Sequence, residues 1–334
     1  MQLRPISDAL RCVLLNTPGG PNLAVTRDAL TSRRLPPSTA LLKESLSHSK
    51  DRCTLVSWDG PRLRALASVR MRAGPRAWEI ERLYLPTLSP AFNYSPESPL
   101  ATGGLREVRR EAGDEGHGEK ELVDLLEGLA RYAGTRGAER VFLRVPCDNP
   151  VARIAQRTGF FPYFEEILLQ GNGGSVGQGR DDLSLRPRLP QAEYALFQLY
   201  SASTPSPVRS GLGMTFDQWK DSRDIRGSKA KEEVYEHDGR IGAWLVSGFS
   251  TRPAQMELVA HPNEGEALSG LLDHALARKG VQAWLVPEYQ EALRELLIPR
   301  GFREVAHYSM LIKTLAARVK SPSLTPVEAR VWQL

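Results

Sequence analysis

Apolar positions along the chain fall into two rhythms. In CTLVSWDGPRLRALASVRM (53–71) and EEVYEHDGRIGAWLVSGF (232–249), runs rich in β-formers flank Asp59-Gly60 and Asp238-Gly239. Asp-Gly tolerates the positive φ of a tight turn, so each run is read as a hairpin. A further strand follows in each case, AWEIERLYL (77–85) and AQMELVA (254–260). The helical rhythm follows at Leu122, Leu125, Leu126 and Leu129, which share one face, and Gly137 ends that helix. RVFLRV (140–145) and QAWLV (282–286) are short apolar runs suited to central strands. Two final helices end at Gly159-Phe160 and Gly301-Phe302.

The pattern is one unit written twice. Leu3-Arg4-Pro5 returns as Leu185-Arg186-Pro187, and the interval from Arg4 to Gly60 matches that from Arg186 to Gly239 to within three residues. After the second LRP, QAEYALFQLY (191–200) reads as a helix burying Tyr194, Phe197 and Leu199-Tyr200. Two stretches break the symmetry. Residues 86–116, rich in Pro, Ser and Gly, read as a long inserted loop, and GNGGSVGQG (171–179) reads as a flexible linker. The expected organisation is a first domain over 1–170, a linker over 171–180, a second domain over 181–314 and a tail over 315–334.

Composition narrows the class. The chain has 334 residues, 41% of them hydrophobic and 25% charged, the balance of a globular protein with real cores. No run approaches the roughly 18 uncharged apolar residues of a membrane helix, and Asp8 and Arg11 interrupt any secretory signal. A cytoplasmic protein without membrane contact is expected. The net charge is +5, but the arginines are spread rather than striped, so nucleic acid is not expected as a partner. Cys12, Cys53 and Cys147 lack metal or disulfide spacing and read as reduced, mostly buried thiols. Isolated His117, His237, His261 and His307 point to no metal.

The order of elements resembles the GNAT family of acetyl-coenzyme A-dependent N-acetyltransferases. Leu125-Leu126, Leu129, Ala133 and Gly137, then VFLRV and DNPVARIAQRTGF, carry the resemblance, and the second copy shows the same frame more faintly. The fold it implies is α/β (α+β): two tandem GNAT-like domains, each a mixed, mostly antiparallel sheet flanked by helices. It also implies acetyl-coenzyme A as cosubstrate, held at the opening of the helix after the long strand, where backbone N–H groups and the helix end attract a pyrophosphate. That loop falls on Gly116, His117, Gly118, Glu119 and Lys120, with Leu83 and Leu85 on the strand beside it. In the second copy the same place reads Asn263-Glu264-Gly265-Glu266 and lacks a basic residue.

The family's tyrosine acid falls on Ala155 and Leu297, which cannot transfer a proton. For the base, the family's glutamate on the long strand maps to Glu81, with Glu79 second and Glu257 the equivalent in the second copy. Strand alternation sets Glu79 and Glu81 on one face with Leu83 and Leu85, and Trp78, Ile80, Arg82 and Tyr84 on the other. The competing reading is a salt bridge from either glutamate to Arg82, Arg70 or Arg72. The implied function is acetyl transfer to an unknown primary amine, small molecule or peptide, by the first domain. The second domain would complete the acceptor pocket or a homodimer surface. The alternative is a non-catalytic tandem module that binds a coenzyme A thioester or a protein.

Overall fold

The computed structural model describes residues 22–27, 30, 50–60, 62–85, 115–174, 185–224, 230–248 and 253–316. The first half contains β1 (Arg52–Asp59), β2 (Arg62–Met71), β3 (Ala77–Tyr84), α1 (Glu115–Thr135), β4 (Arg140–Pro146), α2 (Val151–Arg157) and β5 (Phe161–Gly173). The second contains β6 (Leu185–Pro187), α3 (Glu193–Ser203), α4 (Ser206–Leu212) and α5 (Phe216–Ser222). There follow β7 (Ala230–His237), β8 (Arg240–Gly248), β9 (Ala254–Ala260), α6 (Gly265–Leu276), β10 (Gly280–Pro287), α7 (Glu291–Leu297) and β11 (Arg303–Thr314). The repeat read from the sequence is thus present as β-hairpin, strand, helix, strand, helix, strand in both halves. Leu3-Arg4-Pro5, Cys12 and nearly all of the 86–116 stretch lie outside the described residues.

The eleven strands of the described residues form one sheet in the order β1-β2-β3-β4-β11-β5-β10-β9-β8-β7-β6. Neighbours are antiparallel except β3 with β4 and β9 with β10. The centre of this order is an exchange. β11 of the second half pairs with β4 of the first, while β5 of the first pairs with β10 of the second. Side chains follow the backbone. Leu311 of β11 sits in the core formed by α1, α2 and β1–β4, and Ile167 and Leu169 of β5 sit in the core under α6 and α7.

The hairpins form where Asp-Gly predicts them: Asp59 faces Arg62 and His237 faces Arg240, with Gly60, Asp238 and Gly239 all at positive φ. Gly159 and Gly301 end their helices in the left-handed region and turn buried Phe160 and Phe302 into the two cores.

Four expectations need correction. Residues 171–173 are not linker but the end of β5, facing 280–282. Their glycines serve close packing: a Cβ on Gly171 would come 2.8 Å from the Phe302 ring, and one on Gly173 would fall on the Arg278 carbonyl oxygen. The long helix begins at Glu115, so the loop before it ends earlier than residue 116. Helix α3 buries Leu196 and Leu199 and leaves Tyr194 59% exposed, because the helix packs on the sheet through its aliphatic stripe. Cys147 is exposed at the end of β4 and Cys53 is half-buried. Burial pushes both thiols up to about 11, with Glu165 adding to the effect at Cys147.

Candidate functional site

Two gaps open in the sheet, one per half, where the parallel pairs part. In the first half β3 and β4 pair only over 77–79 and 140–142. Beyond that, β3 stays with β2 and β4 with β11, so backbone groups on the facing edges need other partners. Residues 22–25 supply them. Asn22 donates from Nδ2 to the Glu81 carbonyl (2.8 Å) and accepts the Leu83 N–H at Oδ1 (2.8 Å). The Leu23 N–H donates to the Leu83 carbonyl (2.8 Å), and the Val25 N–H to the Arg144 carbonyl (2.9 Å). Leu23, Ala24 and Val25 are all buried. The first gap is filled by the chain itself.

In the second half β9 and β10 pair over 254–256 and 282–284 and then part in the same way. Among the described residues, no backbone hydrogen bond bridges this gap beyond them. It opens instead into a cavity of about 130 Å³ beneath α3, α4 and α5, lined on the strand side by Glu257, Val259, Leu285 and Pro287.

The strand residues singled out from the sequence lie at the first gap. Glu81 is the extra residue of a β-bulge: Arg82 and Ile80 face the consecutive Ser68 and Val69. The bulge resets the alternation. Leu83 and Leu85 therefore share the core face with Trp78 and Ile80, not the face of Glu79 as simple alternation requires. Both Leu83 backbone groups are taken by residues 22–23, as described above.

Both glutamates are ion-paired. Glu79 holds Arg70 (Nη2–Oε1 2.6 Å) and Arg72 (Nε–Oε2 3.2 Å), while Glu81 holds Arg52 (Nε–Oε1 2.7 Å), with Arg70 and Arg82 at 3.7 and 3.9 Å. All four atoms of these carboxylates thus face guanidinium groups, the arrangement of a structural network.

At the opening of α1, Gly116, His117 and Gly118 lie in the first helical turn rather than in a loop before it. Glu119 is tied to Arg157 (2.8 Å) and Arg153 (3.8 Å) of α2, and Lys120 is exposed. Ala155 and Leu297, at the family's acid position, are fully buried among apolar neighbours.

Sequence reasoning missed the polar network that crosses both halves at the cavity. Arg27 pairs with Asp224 (2.9 Å) and Glu257 (3.2 Å), Arg72 with Asp224 (2.8 Å), and Arg144 with Glu166 (2.7 Å) and Asp224 (3.4 Å). Burial alone would raise the Asp224 carboxyl, but Arg72, Arg144 and Arg27 together hold it well below the usual carboxylate range. Tyr163 and Tyr289 also line the cavity. Burial pushes both phenols well above their ordinary value, so they stay protonated. Of these residues, Glu257 and Arg72 drew notice in the sequence. Tyr289 carries no local signal, because it is a loop residue brought in by the end of β10.

No protein-family model matches the sequence, and no curated protein is significantly similar to it. Solved structures do match its fold. A GCN5-related N-acetyltransferase from Sphaerobacter thermophilus superposes with a TM-score of 0.50 at 12% identity, over 92% of this chain and 93% of that one. A tandem GNAT protein from the clavulanic acid biosynthesis pathway gives a TM-score of 0.47 at 13% identity, over 92% and 95%. Together with the repeated strand–helix order, the full-length superposition identifies the chain's fold as that of the GCN5-related N-acetyltransferases, in tandem.

Proposed function

We propose that the chain is an acyl-coenzyme A-dependent N-acetyltransferase that transfers an acetyl group to a primary amine at the cavity beside the second gap. The observation that carries this reading is the contrast between the gaps. Residues 22–25 saturate the backbone edges at 81–83 and 144, whereas the edges beyond 256 and 284 open into a cavity.

Acetyl-coenzyme A is an extended chain with amide groups and a diphosphate, so it needs backbone partners along its length and donors at one end. The first half fits it poorly. Its edges are occupied, and acidic Glu119 stands at the start of α1. The second half fits better. The backbone at 258–260 and 285 would hold the amides, and the first-turn N–H groups of α6 would face the diphosphate. Of the two acidic residues there, Glu264 at the N-cap is engaged by His237 (Nδ1–Oε1 3.1 Å), and Glu266 in the first turn is exposed to solvent. When bound, acetyl-coenzyme A supplies the activated acyl carbonyl.

This chain's residues then handle protons. Glu257 has a side chain 20% exposed, against 4% for Glu166, so among these cavity carboxylates it is the better placed to take the ammonium proton. Asp224, held strongly ionised, is a poor base and serves to fix Arg27 and Arg72. Tyr289, kept neutral by burial, is a hydrogen-bond donor to the departing thiolate. The apolar walls at Leu196, Leu199, Trp244 and Met310 exclude water.

Incubation of the full chain with labelled acetyl-coenzyme A and a panel of primary amines tests the reading. Glu257→Gln is expected to lower transfer at least about a hundredfold, the lower end of the general-base range of about 10²–10⁴. No transfer to any amine, with no thermal stabilisation by acetyl-coenzyme A, would favour the non-catalytic module that binds a protein partner instead. Saturating ligand should add about 2.7 kcal/mol at a hundred times its dissociation constant.

A further inference from the structure

The charged groups around the cavity satisfy one another. Arg27, Arg72 and Arg144 are held by Asp224, Glu166, Glu257 and Glu79, and Arg223 by Glu193 (2.8 Å). A ligand carboxylate or phosphate would find no guanidinium without a counter-ion. Two hydroxyls on the lining are different. The Tyr163 Oη and Ser222 Oγ atoms are both buried and have no hydrogen-bond partner among the described residues, and neither does Arg223 Nε. Ser222 as a whole is 3% exposed. A buried polar atom left unpaired costs about 1–3 kcal/mol, so such atoms at a cavity point to something that pairs with them.

The Tyr163 ring is also firmly placed. It stands edge-on to Phe164 with centroids 4.7 Å apart, and Gly211 of α4 lies so close that a Cβ there would come 2.9 Å from the ring. The remaining wall is apolar: Leu196, Leu199, Trp244, Leu285 and Met310. A cavity of about 130 Å³ is several times a water's share of liquid volume, roughly 30 Å³, so it has room for a compact organic body.

We infer that the cavity binds a small primary amine with a compact apolar body and one uncharged oxygen function, which pairs with the hydroxyls of Tyr163 and Ser222. The inference rests on the acetyltransferase reading for the amine and deepens it by naming the acceptor class. Tyr163 and Ser222 are then specificity residues: they select the oxygen-bearing amine over its deoxy analogue.

The test is calorimetric titration of the full chain with trans-4-aminocyclohexanol and with cyclohexylamine, which share one body and differ by the hydroxyl. The hydroxylated amine is expected to bind on the order of 2–10-fold more tightly, the worth of one net hydrogen bond. Tyr163→Phe and Ser222→Ala each remove only an oxygen, and the preference should shrink toward unity in at least one of them. Equal binding of the two amines overturns the inference. So does a preference that persists in both variants, or binding of neither amine. Because the readout is binding, it separates the two proposals: a hydroxyl preference lost in Tyr163→Phe, with no acetyl transfer to any amine, leaves the acceptor-class site standing and removes the enzyme.

Discussion

Glu79, one of the two candidate bases on the long strand, is held in a buried ion-pair network. Its carboxylate bridges Arg70 and Arg72, with all three side chains at most 10% exposed. Removing its charge takes the nearest counter-ion from Arg70 and leaves Arg72 to Asp224 alone. Breaking a buried pair in this way costs about 3–5 kcal/mol, so Glu79→Gln should lower the urea midpoint sharply with the slope unchanged. Asp224 gives the pH dependence. Its folded carboxyl is depressed, so its stabilisation is present above the unfolded value near 3.8 and is lost as pH falls through the folded value. Asp224→Asn should therefore flatten the acid limb of a stability–pH curve. The same acid limb in both proteins would contradict the network. At this scale the sequence was half legible. Arg70 and Arg72 stand two strand positions apart and announce a partner for Glu79. The bulge at Glu81 is silent, because an extra residue cannot be seen until the register of β2 against β3 is known.

Elements were legible wherever their signal was local. The paired hairpins, the leucine face of α1 and the Gly-Phe helix ends all follow from turn chemistry and periodicity. Glycine was the ambiguous letter. In GNGGSVGQG the first three residues are strand, and Gly171 and Gly173 admit Phe302 and Arg278 at distances no side chain allows. Gly171→Ala should cost about 1–3 kcal/mol by overpacking, read by urea unfolding; an unchanged midpoint would restore the linker reading. The segment at 22–25 was illegible for a different reason. Its sequence, Asn-Leu-Ala-Val, says only that it is apolar, and its role exists only because β3 and β4 part beside it. Asn22→Ala would orphan the Leu83 N–H and the Glu81 carbonyl together. About 2–4 kcal/mol of destabilisation is expected.

The whole molecule depends on the exchange of β5 and β11. Each half's last strand lies against the other half's core, so neither half has a complete sheet alone. A chain ending before Arg303 should therefore lose cooperative unfolding in both halves, not only in the second. Survival of a cooperative first half would contradict the exchange. The tandem repeat was legible as a spacing, but not the exchange, since strands that swap places keep the same sequence as strands that do not. The exchange also sets the cavity at the junction: β5 and β11 bring Tyr163, Phe164 and Met310 to a lining shared by Arg27, Arg72 and Arg144 of the first half and by residues of the second.

The first gap is closed by the chain itself, and the second is the one proposed to receive acetyl-coenzyme A. Calorimetric titration of the full chain with acetyl-coenzyme A tests it most directly. One molecule per chain is expected, with binding lost in Leu285→Trp, which fills the second gap. Two molecules per chain, or one whose binding survives Leu285→Trp, would contradict the account.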